Sequence, residues 1–186
     1  MTELSTALLN KESLMDCTLM TEDKGMIQFH KVALASMSEY FDKLFFGEFK
    51  ESKEETIQVT GSFPVWKSIK NLVYTGRGIT GGMGVHLETL EALYKYDLKI
   101  FADRVWGYMK EIKKLDRFVA LRLLRFAVLH EHDYMGKTVM SAIRSSFQRL
   151  MDDYKWIKEY ATFLEGVDKM PEDWVGYYSS TWQSLE

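Results

Sequence analysis

His30-Lys31-Val32-Ala33-Leu34-Ala35-Ser36-Met37-Ser38-Glu39-Tyr40-Phe41 is the stretch on which the fold turns. It follows directly on a β-prone run, so a short helix over Lys31–Ala35 opens straight off a strand. Ser38 reads as the N-cap of a second helix, Glu39–Phe46, because its hydroxyl can accept from the first free backbone N–H groups. In that helix Tyr40, Phe41, Leu44 and Phe45 are expected to form the buried face.

Working outward, Asp16-Cys17-Thr18-Leu19-Met20 and Met26-Ile27-Gln28-Phe29-His30 flank a polar stretch that ends in Gly25, a hairpin signal. A third short strand is Thr56–Thr60, closed by Gly61-Ser62. Pro64 suits the first turn of a helix carrying Val65, Ile69, Leu72 and Val73, with Gly76 as its stop. A Gly-rich loop covers residues 76–84. Leu87, Leu90, Leu93 and Tyr94 belong to the next helix, and a turn at Asp97 leads to Ile100-Phe101, Val105 and Tyr108. From about Lys113 the pattern is helical throughout: Phe118–His130, Met135–Leu150, Tyr154–Leu164, and a last short helix opened by Pro171 with Glu172 and Asp173 in its first turn. A soft boundary falls at 112–117. The reading is α+β, mostly helical, with three short strands.

The composition narrows the function. The 186 residues carry 24 Lys plus Arg against 27 Asp plus Glu, a net charge of −3, which does not suit a protein that grips phosphate backbones. Hydrophobic residues make up 46%, enough for a packed core. With one cysteine, Cys17, no internal disulfide and no Cys-based zinc site can form. No apolar run reaches the roughly 20 residues that span a bilayer, and the first 14 residues lack the pattern of a signal peptide. A cytoplasmic or nuclear protein is expected.

Four blocks resemble the BTB (POZ) domain, in its order and at its spacing. They are Asp16-x-x-Leu19; His30-Lys31-Val32-Ala33-Leu34-Ala35-Ser36-x-Ser38-x-Tyr40-Phe41; Phe45-x-x-x-Phe49-x-Glu51-Ser52; and Val73-Tyr74-Thr75-Gly76. The resemblance implies an N-terminal dimerisation helix at 1–13, a BTB/POZ domain at 14–112 with a small three-stranded sheet and a helical cluster, and an all-α segment with C-terminal tail at 113–186. That last segment is similar to the BACK domain that follows BTB in Kelch-like proteins. Folding alone explains most of the matched residues: His30-Lys31 opens a helix, Ser38 caps one, and Gly76 ends one.

The resemblance implies recognition, not catalysis. BTB domains often homodimerise through an N-terminal helix, and Leu4, Leu8 and Leu9 form the apolar stripe for it here. Asp16 and Lys31 would lie at the groove between subunits. In BTB proteins that bind the N-terminal domain of cullin-3, a hydrophobic-x-Glu motif follows the helix bearing the Tyr-Phe pair. It stands here as Phe49-Lys50-Glu51, with Phe45 and Phe46 nearby. Read alone, Phe49 and Glu51 fit either a packed aromatic beside a solvated carboxylate or an exposed hot spot; the resemblance implies the second. The expected function is a dimeric adaptor or competitor of a cullin-3 ubiquitin ligase. The alternative is a scaffold that pairs with itself, other BTB chains or a co-repressor and never meets cullin. A Kelch propeller, at about 50 residues per repeat, does not fit in the remaining residues, and no MATH domain precedes the BTB match.

Other constellations are weaker. His130-Glu131-His132-Asp133 has ligand residues, but on a helix the two histidines point about 200° apart; a solvated helix end is the simpler reading, although an extended turn would bring them together. Cys17 lies in a strand with no basic neighbour in view, which suits a buried, inert thiol. Arg117, Arg122, Arg125, Lys137, Arg144 and Arg149 are interleaved with acids and read as a mixed-charge surface. Trp174, Tyr177, Tyr178 and Trp182 fit either a binding surface or a helix closing the bundle. No nucleophile elbow or P-loop is present. No enzyme activity, cofactor, metal, membrane or direct nucleic-acid contact is expected.

Overall fold

The structure is a computed structural model, and it describes residues 11–47, 54, 56–110, 117–139 and 141. The chain forms two compact units, Met1–Glu111 and Ile112–Glu186. In the first, β1 (Cys17–Met20) pairs antiparallel with β2 (Met26–Phe29), with Cys17 opposite Phe29 and Met20 opposite Met26. On its other side β1 takes β3 (Thr56–Gln58) in parallel, giving the order β2-β1-β3. Side chains alternate with the strand period of two. Cys17, Leu19, Ile27, Phe29 and Ile57 are therefore buried, while Gln28 and Gln58 are exposed.

The hairpin turn also fixes the start of a helix. Lys24 takes left-handed backbone (φ 64°), and the Thr21 N–H donates to the Gly25 carbonyl at 2.9 Å. This aims the Asp23 carboxylate at the Phe63 N–H, which it receives at 2.9 Å and 3.1 Å on its two oxygens. The Thr21 hydroxyl, then the Phe63 N–H, hold the Asp23 carboxyl below its ordinary range. Gly25 leaves room for this approach: a Cβ there would come within 2.6 Å of the Phe63 ring.

The helices are α1 (Lys31–Ala35), α2 (Glu39–Phe46), α3 (Phe63–Thr75), α4 (Met83–Lys95) and α5 (Ala102–Lys110), the last entered through a single 3-10 turn at Lys99–Phe101. Ser38 caps α2 as its hydroxyl accepts from the Phe41 N–H at 3.0 Å. Pro64 lies in the first turn of α3, and Gly76 ends that helix in left-handed backbone (φ 69°). The core is aromatic. Trp66 meets Phe29, Phe41 and Tyr96 edge-on, while Phe29 stacks on Tyr74. In the second unit α6 (Arg117–Leu129) buries Ala120, Leu123, Leu124 and Ala127 and exposes Arg122 and Arg125. A left-handed Glu131 (φ 52°) then turns the chain into a helix, α7, over 133–139.

Several expectations change. Tyr40 is 43% exposed and Leu44 only half-buried, because Phe41 and Phe45, one turn apart, take the inward face and leave their neighbours at its flanks. β2 stops at Phe29, since His30 becomes the residue that precedes α1. The Gly-rich loop ends at Gly82, and α4 begins at Met83. The helix expected from Met135 starts two residues earlier, at 133, and its later part lies outside the described residues. The helices expected at Tyr154–Leu164 and Pro171, and the aromatic tail, lie outside them too. Cys17 does have a basic neighbour, for the Lys31 charge acts on it. Burial still dominates and pushes its thiol up to about 12 from an ordinary 9.0.

That shift has a sign. Between pH about 9 and 12 an unfolded chain releases the Cys17 proton while the folded chain keeps it. Stability is therefore full below the ordinary value and falls as pH rises, by up to about 1.4 kcal/mol per pH unit from this group. Tyr74, raised chiefly by burial, acts in the same direction. Urea midpoints across this alkaline window should fall, and Cys17→Ala should flatten the fall. A slope unchanged in Cys17→Ala would show that the thiol is not what titrates.

Candidate interaction surface

Polar and aromatic contacts gather at three places in the first unit, and the first two hold the candidate site residues that the structure describes. Asp16 and Lys31 are in contact: the Lys31 N–H donates to Asp16 Oδ1 at 2.7 Å. The carboxylate before β1 thus receives the first free N–H of α1. The Lys31 ammonium lies 5.8 Å from the centre of the Phe45 ring. Asp16 is exposed and Lys31 half-buried, so the pair forms one polar edge of the first unit.

The second place is α2. Phe46 is 63% exposed, and Tyr40 stands on the same helix beside the Tyr96 ring. Glu39 and Lys43 pair at 2.6 Å between them. Lys43, raised first by Glu39, also feels Asp97. This links the outer face of α2 to the turn at Asp97 (φ 53°), beyond which Lys99 and an exposed Ile100 follow. Tyr40, Lys43 and Phe46 are therefore all exposed to solvent on α2. Phe45 does not belong to that surface. It is 5% exposed and stacked on Phe41, so it supports α2 from inside. Phe49, Lys50 and Glu51, like Leu4, Leu8 and Leu9, lie outside the described residues.

The third place was not anticipated. His30 and Tyr74, 44 residues apart in sequence, are joined twice. The His30 N–H donates to the Tyr74 hydroxyl at 2.9 Å, and that hydroxyl lies 2.7 Å from His30 Nδ1. With the hydroxyl donating to Nδ1, the proton sits on Nε2, which is buried and has no partner among the described residues. A similar clasp joins Ser38, whose hydroxyl donates to the Tyr96 carbonyl at 2.7 Å, and Tyr96, whose hydroxyl accepts the Thr60 N–H at 2.7 Å. The signal was in the sequence, in His30 and Ser38 of the opening stretch and Tyr74 of the Val73–Gly76 block. Each hydroxyl's partner is remote in sequence, so periodicity alone could not pair them.

Among the described residues, no three His, Cys, Asp or Glu side chains stand close enough to hold a metal ion. His130 packs instead against the Phe126 ring at 4.5 Å, and the His132 N–H donates to the Ala127 carbonyl at 2.8 Å. No described helix is long and apolar enough to cross a membrane.

Comparison with known proteins gives the context. The chain is 23% identical over 150 residues to human Kelch-like protein 6, a match over 80% of this chain and 24% of that protein. It therefore spans about a quarter of the length of that curated relative. Among solved structures it is similar to the BTB domain of zebrafish PATZ1 (20% identity, TM-score 0.48, 59% of this chain and 90% of that one). It is also similar to the BTB domain of human gigaxonin (21% identity, TM-score 0.46, 56% and 86%). The profile of the BTB/POZ domain matches residues 6–113, more than half of the sequence. BTB domains are non-enzymatic interaction modules and commonly self-associate. This chain is a member of the BTB/POZ domain family.

Proposed function

We propose that the protein is a dimeric BTB adaptor that binds the N-terminal domain of cullin-3 and acts as substrate adaptor or competitor of a cullin-RING ubiquitin ligase in the cytoplasm or nucleus. The observation that carries the reading is the outer face of α2. It presents Tyr40, Lys43 and an exposed Phe46, adjoins Asp97, and runs in sequence into Phe49-Lys50-Glu51. Kelch-like proteins bind cullin-3, and one of them is a relative of this chain. Phe46 and Phe49 supply apolar contact, Glu51 accepts hydrogen bonds, and Phe45 keeps α2 in place from the core. The second unit serves as a BACK-like helical support, and the protein performs no catalysis of its own. Calorimetric titration with the cullin-3 N-terminal domain tests this. Saturable binding is expected, and a well-folded dimer that does not bind would overturn it.

The exposed Asp16–Lys31 contact favours a second reading, in which that edge faces a partner subunit or a co-repressor and cullin is not engaged. Loss of co-repressor binding on Lys31 substitution, with no cullin binding by the parent protein, would select it. Dimerisation itself is assigned to the Leu4/Leu8/Leu9 stripe, possible BTB heterodimers included. Deleting residues 1–13 should give monomers by light scattering, and an intact dimer would place the partner surface elsewhere.

A further inference from the structure

We propose that Lys70 is a site of acylation by thioester donors, and that such donors modify it ahead of the ion-paired lysines. The proposal is independent of cullin binding. Lys70 lies on α3, one turn before Tyr74, on the helix that packs against β2. Its Nζ lies 3.6 Å from Met15 Sδ and 5.9 Å from the centre of the Phe29 ring. Among the described residues no carboxylate comes within ion-pair distance of it. Lys43, Lys99 and Lys137 differ, with Glu39, Asp97 and Asp133 at 2.6, 3.5 and 2.8 Å.

A thioether and an aromatic face are poor substitutes for water around an ammonium. The Phe29 ring, near the limit of cation–π range, favours the charged form only weakly. Burial disfavours it and holds the Lys70 amine below its ordinary value, against a weaker opposing effect of Glu12. More of the amine is therefore free to react. The free amine attacks the thioester carbonyl carbon. A C–N bond forms, the C–S bond breaks, and the leaving thiolate takes up the amine proton through solvent. The product is a neutral amide, which carries no charge to desolvate beside Met15 and Phe29. Exposure alone predicts the opposite order, for the side chains of Lys43, Lys99 and Lys137 are 64%, 58% and 42% exposed while Lys70 is partly buried. The acyl group would stand where the segment before β1 joins the sheet.

The test is a time course of the full chain with S-acetyl-N-acetylcysteamine near neutral pH, read by peptide mapping. Lys70 should be acetylated several-fold faster than Lys43, Lys99 and Lys137, and its rate should level off at a lower pH than theirs. Met15→Glu, which sets a carboxylate beside Nζ, should slow Lys70 and leave the other three unchanged, their unchanged rates reporting an intact fold. Equal or slower reaction at Lys70, or no effect of Met15→Glu on it, would overturn the proposal.

Discussion

Replacing Trp66 with alanine is expected to lower the stability of the first unit by about 3–5 kcal/mol. A small domain holds only about 5–15 kcal/mol in total, so this one change would bring it near the threshold of unfolding. The size follows from the surroundings. Trp66 is fully buried, and its ring meets Phe29, Phe41 and Tyr96 at centroid distances of 6.3, 6.2 and 5.1 Å. Its Nε1–H donates to the Thr60 carbonyl at 2.8 Å. The residue thus ties α3 to β2, α2, the end of α4 and the segment after β3. Alanine leaves a cavity that four separate elements would have to close, and it leaves the Thr60 carbonyl without that donor. Urea unfolding followed by circular dichroism should show the midpoint fall. Trp66→Phe, which keeps most of the volume and loses the hydrogen bond, should cost less. A loss below about 1 kcal/mol for Trp66→Ala would mean that the aromatic cluster repacks without strain.

The second large effect is expected at the proposed interface. Phe49→Ala should weaken binding of the cullin-3 N-terminal domain by about 2–4 kcal/mol, the range of a central aromatic anchor. At 1.4 kcal/mol per decade this is roughly a 30- to 700-fold rise in Kd. Adding Glu51→Ala should remove measurable binding, because the cullin donors that the carboxylate would satisfy in the proposed interface are then left buried without an acceptor. Calorimetry on parent, single and double variants reads this directly, with thermal melts to show that each is folded. Unchanged affinity in Phe49→Ala would remove the motif from the interface and leave the outer face of α2, with Phe46 and Tyr40, to be tested in its place.

Much of the fold was legible because it is encoded locally. Lys31–Ala35 and Glu39–Phe46 form helices at the expected bounds, with the Ser38 hydroxyl capping the second and Gly76 closing α3 in left-handed backbone. Caps, glycine stops and strand alternation depend on a few neighbouring residues, so a single sequence carries them. The small sheet and the mostly helical content follow from those signals, while the BTB fold itself was implied by the resemblance of the four blocks. What escaped was set by distant residues. Tyr40 and Leu44 counted as core until Phe41 and Phe45 took the inward face, and the burial expected of Phe45 holds while its place beside the cullin motif does not bring it to the surface. His30 and Tyr74 stood in separate blocks of the resemblance, yet one hydroxyl joins them. The influence of Lys31 on Cys17 likewise depends on the Asp16–Lys31 hydrogen bond, which sets the start of α1 beside the start of β1.

The strand order bears on how the chain is assembled in time. β1 and β2 are joined by a short turn, so the hairpin can close as soon as both have been synthesised. β3 is different: it adds in parallel to the far side of β1, and the chain must first lay down α1 and α2 between them. Closing so long a loop is entropically costly and is compensated only by non-local contacts. Early in synthesis, the outer edge of β1 is therefore an unpaired strand beside exposed Leu19 and Phe29. Folding of the sheet is committed only when Ile57 arrives and α3, with Trp66, follows to cover it. A chain that ends before residue 56 would leave that edge of β1 unpaired, whereas one that includes β3 pairs it and leaves β2 and β3 as the edges of the described sheet. The time taken to supply β3 thus sets how long this edge stays open to wrong partners.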